Sequence, residues 1–144
     1  MMRVPTHRPA RHALLPACLL TLALLLGACG DKTTEVNQGE LAARTAKIYY
    51  DSLAAGHTEA FYQGKLKPDT VPESYRRQLM ALLQQHTSDE QERHKGIDSV
   101  RVSRYRYDDK TQTADVFLTL VYGDRTQEEI VVPMIKRDSL WLMR

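Results

Sequence analysis

Cysteine is scarce in this chain: two in 144 residues, Cys18 and Cys29, both near the start. The remainder has no thiol, so no disulfide, cysteine metal site or cysteine nucleophile is available there. Its stability must come from a packed core, and about 100 residues suffice for one small domain. A one-sided charge is also missing. The formal net charge is +2, but the first 28 residues hold Arg3, Arg8 and Arg11 and no acid, so the balance beyond residue 28 is −1. Such a domain lacks the basic excess that nucleic acid requires, and it cannot hold a membrane through a polybasic patch. There is no Gly-x-Ser-x-Gly element, no internal repeat and no low-complexity run. The later histidines, His57, His86 and His94, include no i, i+4 pair. Neither a metal site nor a cofactor is therefore expected; His86 is expected to be partly buried and His94 solvated.

What is present begins with the anatomy of an export signal. A basic start is followed by an apolar run from Ala13 to Ala28, broken by Pro16 and Thr21, with small residues at its end. The run is short for a spanning helix, which needs about 20 apolar residues. Leu26-Gly27-Ala28-Cys29 resembles the lipobox of bacterial lipoproteins. The resemblance implies cleavage before Cys29, lipid on its thiol, and a mature chain anchored to a membrane of the cell envelope by acyl chains. Gly30 after the cysteine points, by analogy with a lipoprotein sorting rule, to the outer membrane.

Residues 29–40 are expected to be the lipidated cysteine and a polar tether, the segment from residue 30 spanning at most about 35–40 Å. From Leu41 the spacing becomes helical: Ala42, Ala46, Tyr49 and Leu53 form one stripe, with Ile48 beside it and Gly56 as the stop. A second short helix is expected over Thr58 to Tyr62, ending near Gly64. Pro72 suits the first turn of a third, whose buried face would be Tyr75, Leu79, Leu82, Leu83 and His86. Beyond Thr87 either this helix projects into solvent or Ser88 caps a new one with Gln91 reaching back. From Ile97 the period is two. Val100 to Tyr107, a strand through Ala114, Val116, Leu118, Leu120 and Tyr122, a strand through Ile130, Val132 and Met134, and Leu140 to Met143 predict a four-strand meander. Three helices before an antiparallel sheet is an α+β order, with the helices covering one face. The domain is expected to span 41–144.

The run Tyr49-Tyr50-Asp51-Ser52-Leu53-Ala54-Ala55-Gly56, together with Val132-Pro133-Met134-Ile135-Lys136-Arg137-Asp138-Ser139-Leu140-Trp141, carries a resemblance. Over residues 42–144 the chain resembles the nuclear transport factor 2-like superfamily. More narrowly, it resembles small bacterial lipoproteins with a domain of unknown function, some labelled lumazine-binding. The resemblance implies a cone of helices on a curved sheet, with Trp141 buried. His57 stands where relatives often have Asp, and Ser139 where they often have Gly. The family brings no agreed catalytic residues.

Two groups of residues invite a functional reading. Asp115 lies on a strand on the same face as Phe117 and Val121. Enzymes of the superfamily place a carboxylate and a tyrosine in the mouth of the cone, so Asp115 with Tyr105, Tyr107 or Tyr122 is the candidate ligand-binding or acid–base set. In Arg104-Tyr105-Arg106-Tyr107, strict alternation would put Val100 and Val102 on the face of the arginines. A bulge near Ser103 would return the tyrosines to the valine face. The leading expectation is a non-enzymatic envelope module that binds a protein partner or a small apolar ligand. The alternatives are a cavity enzyme of the isomerase or hydrolase kind using Asp115, and a structural homodimer paired through Phe117, Val121, Val131 and Ile135.

Overall fold

The computed structural model describes residues 36–144; the expected export signal, the expected lipobox with Cys29 and the first part of the expected tether lie outside the described residues. Three helices precede four strands: α1 Gln38–Ala54, α2 Thr58–Gln63, α3 Glu73–His94, β1 Ile97–Asp108, β2 Thr113–Tyr122, β3 Gln127–Arg137 and β4 Leu140–Met143. The strands form one antiparallel sheet in the order β1-β2-β3-β4. This is the expected α+β arrangement. No described helix is long and apolar enough to cross a membrane.

Helix α1 begins at Gln38, three residues before the expected start, because Asn37 caps it: its side-chain oxygen accepts from the Glu40 backbone N–H at 3.0 Å. Residues 38–40 therefore belong to the helix and not to a tether. The buried face of α1 is made of small residues, Gly39, Ala42, Ala43 and Ala46, with Leu53. Such a face lets the backbone approach the sheet closely. A Cβ added at Gly39 would lie 2.9 Å from Tyr107 Cβ and 2.6 Å from Tyr105 Cε2.

The sheet alternates cleanly. Ala114, Val116, Leu118, Leu120 and Tyr122 of β2 are all buried, with Val132 and Met134 of β3 and Trp141 and Met143 of β4. Trp141, 2% exposed, meets the Tyr107 ring edge-on at 6.0 Å between centroids, and its carbonyl accepts from the Tyr49 hydroxyl at 3.0 Å. The register of β1 against β2 slips between Val102 and Arg104. This is the bulge expected near Ser103, and it turns Tyr105 and Tyr107 onto the helix-covered face, opposite Val116 and Ala114.

Of the two alternatives for α3, the structure has the single helix, running through His94 with no break at Ser88; it differs from expectation in that Pro72 is its N-cap, one residue before the first turn. The face turned to the domain is also rotated by about one residue. Leu79 and Leu83 face inward as expected, but Tyr75 and Leu82 are 57% and 56% exposed and His86 is exposed, whereas Arg76, Met80, Thr87, Glu90 and His94 are half-buried. Hydropathy misjudges this face because its polar members find partners. Arg76 pairs with Glu59 at 2.9 Å, Thr87 donates to the Leu83 carbonyl, and His94 meets Asp124. No residue of α3 is fully buried.

Candidate functional site

Tyr122 ends β2 on the helix-covered face and is 7% exposed. Its hydroxyl donates to Glu128 Oε2 at 2.9 Å. Burial, then the hydrogen bond and charge of Glu128, with a smaller push from Glu90 on α3, raise its pKa far above the ordinary phenol value. The phenol is therefore a neutral donor. Tyr50, projecting from α1, is raised as well, by burial first and the Glu128 charge second. Its ring meets Phe61 of α2 edge-on at 5.2 Å. Leu83 and Ile130, both half-buried, pack against the same core. Two phenols and two carboxylates thus border apolar surface at this end of the domain.

The Tyr122 end is framed by the β2–β3 turn. His94 Nδ1 lies 2.8 Å from Asp124 Oδ2, and the His94 ring meets the Tyr122 ring at a 40° tilt, 5.0 Å between centroids. Hydrogen bonds from the Thr126 hydroxyl, His94 and the Thr126 backbone N–H hold the Asp124 carboxyl down to about 2. The Asp124 backbone N–H donates to the His94 carbonyl, and that of Gly123 to the Gly96 carbonyl. These contacts tie the C-terminal end of α3 to the sheet. A cleft of about 70 Å3 runs beside them, between Leu53 of α1, Thr87, Glu90 and Gln91 of α3, and Ile97.

The four residues singled out in the sequence do not converge. Tyr122 is at this end. Tyr105 and Tyr107 share its face but pair with Val116 and Ala114, and eight residues of strand from Ala114 to Tyr122 span about 26 Å. Asn37 donates to the Tyr105 hydroxyl, and Tyr107 donates to Asp109 while accepting from Gln112. Asp115 lies on the opposite, outer face, 3.2 Å from Arg106. The pairing of Asp115 with a tyrosine is not formed, because odd positions of β2 point away from the helices. The carboxylates that do reach Tyr122 are Glu128 and Glu90, which the sequence reading missed. Glu128 has the parity of Ile130, Val132 and Met134, and that spacing placed it among them. Glu90 is two helical turns beyond Leu83.

The histidines also depart from expectation. His86 is exposed and His94 is half-buried and hydrogen-bonded, the reverse of the sequence reading, because of the rotated face of α3. His57 is an exposed N-cap of α2. No three His, Cys, Asp or Glu side chains among the described residues converge on a point that could hold a metal.

The outer face of the sheet has its own character. The guanidinium carbons of Arg104 and Arg106 lie 3.9 and 5.7 Å from the centre of the Phe117 ring. Arg104 pairs with Glu129 at 3.0 Å and Arg106 with Asp115. Val131 and Leu140 are 51% and 63% exposed, and half-buried Pro133, Ile135 and Leu142 share that face by strand parity.

Neither a protein-family model nor a curated protein sequence matches this chain. Among solved structures, it is similar to a Campylobacter jejuni protein that carries the name NTF2-like transpeptidase, with a TM-score of 0.55 and 14% identity over 68% of this chain and 92% of that one. At that identity the likeness speaks for the fold alone. The fold is nuclear transport factor 2-like.

Proposed function

We propose that the protein is a lipid-anchored envelope lipoprotein whose domain is a non-enzymatic binding module. Its ligand is a small, largely apolar molecule with one hydrogen-bonding group, taken at the Tyr122 end. The observation that carries this reading is the Tyr122–Glu128 pair at the edge of a core on which half-buried Leu83 and Ile130 pack, next to a helix none of whose residues is fully buried. A few polar groups on an apolar lining is the usual composition of a small-molecule site. Binding is favoured over catalysis because the acid–base pair legible in the sequence, Asp115 with a tyrosine, is split between two faces. Native mass spectrometry of the detergent-extracted protein tests this. A retained small molecule, lost in Glu128→Gln and Tyr122→Phe, is expected; an empty wild-type protein that takes up nothing from an envelope extract would contradict it. Anchoring is tested separately: Cys29→Ala should abolish labelling by a radioactive fatty acid, and persistent labelling would refute the lipid on Cys29. Sorting is tested by membrane fractionation, where enrichment in the inner membrane would contradict the outer-membrane assignment.

A second reading, a homodimer paired through the outer sheet face, is favoured by one observation. The charges there are already paired within the face around Phe117, beside exposed Val131 and Leu140. A like surface could cover them without stranding a charge. The same mass spectrum reports it as a doubled mass.

A further inference from the structure

The stripe Tyr75, Leu79, Leu82 and His86 of α3, which its spacing predicts to be buried, steps by four, three and four residues. That is the spacing of a coiled-coil seam. The structure leaves it largely uncovered. Tyr75 and Leu82 are more than half exposed, His86 is exposed, and Leu79, on the border with the inward face, is half-buried. At about 100° per residue, the stripe lies roughly a quarter-turn around the helix from Arg76, Leu83 and Thr87, which face the domain. One side of α3 holds the domain and another offers an open seam. We infer that this seam pairs with the same seam of a second copy of the chain, the two α3 helices running antiparallel.

Three features select a second copy and this direction. First, the seam complements itself. The antiparallel register that sets Leu79 against Leu82 of the other copy also sets Tyr75 against His86, and the four layers repeat in reverse about a twofold axis. Second, the seam carries no charge until Asp89 and Arg93, the next two positions in the same spacing. A parallel pair would put Asp89 against Asp89 and Arg93 against Arg93, like charges in contact. Third, the antiparallel register brings Asp89 level with Pro72 of the other copy, the N-cap of its α3. Pro72 gives the first turn no side-chain hydrogen bond. A carboxylate is the group that the positive end of a helix favours. The ion pairs of α3 among the described residues are those of Arg76, with Glu59 and Glu73, and of His94, so Asp89 is left for this contact. Four layers make a small interface, so pairing in dilute solution is weak. Copies held on one membrane by the lipid proposed above would meet at a far higher effective concentration.

The full chain carrying Tyr75→Cys and His86→Cys together tests the register. Within one helix the two positions are about 16 Å apart, too far for a disulfide. Across the antiparallel pair they are level. Mild oxidation should give a covalent dimer, both in native membranes and in detergent at on the order of millimolar protein. Tyr75→Cys or His86→Cys alone should give no more dimer than the wild type. Adding Leu82→Asp should slow covalent dimerisation at least about tenfold, because the seam would then bury a charge. Leu82→Asp alone should keep the wild-type melting temperature, since Leu82 is more than half exposed. Asp89→Asn should slow dimerisation about two- to fivefold, the range for a charge at a helix end. Dimer in detergent with none in membranes would count against the lipid anchor and support the pairing. No dimer in either setting overturns the pairing, as does a rate that Leu82→Asp leaves unchanged. Dimer from the single variants to the same extent overturns the antiparallel register. A bond formed only to another envelope protein overturns the choice of a second copy.

Discussion

Helix α1 carries a pronounced apolar face and is built into the core, whereas helix α3 carries only a weak one and is not. Helix α1 presents Gly39, Ala42, Ala43 and Ala46, and these small residues let its backbone settle on the sheet until they are buried. Helix α3 is five residues longer and richer in leucine, yet none of its 22 residues is fully buried. Its inward face mixes Leu79, Met80 and Leu83 with Arg76, Thr87, Glu90 and His94. It is held chiefly at its ends, by Arg76–Glu59 at one and His94–Asp124 at the other. The difference teaches that an apolar face built of small residues, which lets the backbone approach closely, is what joins a helix to this core. It also separates a rigid frame, α1 with the sheet, from a loosely held cover over the Tyr122 end.

The largest expected effect breaks the frame. Trp141→Ala should cost about 3–5 kcal/mol by chemical denaturation, because the indole is buried between α1 and the sheet. A loss under ~1 kcal/mol would show that α1 is not packed as described. Next comes Gly39→Ala. Alanine favours helix by up to about 1 kcal/mol, but its methyl would meet Tyr107 Cβ, which cannot move without the strand. Overpacking should win, with a net loss of about 1–3 kcal/mol. A more stable variant would mean that the approach of α1 to β1 is looser than 2.9 Å implies.

How much of this was legible in the sequence follows the same division. Period two gave the four strands, and the misfit of Val100 and Val102 with Arg104 and Arg106 disclosed the bulge at Ser103. The stripe Ala42, Ala46, Leu53 and the burial of Trp141 were readable because those residues pack on apolar partners. The start of α1 was missed because a polar run was taken for a tether, although Asn37 is a good N-cap. The face of α3 is only partly legible: Leu79 and Leu83 lie on it as the spacing predicts, but Arg76, Thr87, Glu90 and His94 join it through polar contacts that no hydropathy pattern reveals. For the same reason Glu90 and Glu128 are not legible as partners of Tyr122, while Asp115 is a candidate only through the resemblance, and its parity turns it to the outer face.

Smaller effects should come from α3. Leu82→Ala and Tyr75→Ala, both more than half exposed, should change stability by no more than ~0.5 kcal/mol in the same denaturation. A loss of 2 kcal/mol or more, typical of a core leucine, would place α3 in the frame after all. The smallest is a pH effect at the tie between α3 and the β2–β3 turn. The Asp124 carboxyl is held to about 2 in the folded domain, below its ordinary value, chiefly by Thr126 and then by His94. A depressed carboxyl stabilises the fold above its unfolded pKa, and that contribution is lost as pH falls from about 4 through about 2. Asp124→Asn should therefore flatten the acid limb of a melting-temperature profile in that window. An unchanged slope would mean that the tie contributes nothing.

Native-state hydrogen exchange on the backbone amides compares the two helices in one experiment. If α1 and the sheet form the frame and α3 is a cover, amides of residues 42–53 should exchange only through global unfolding. Those of residues 76–93 should exchange through local opening, with protection at least about tenfold lower. Equal protection in the two helices, rising and falling together with denaturant, would contradict the account.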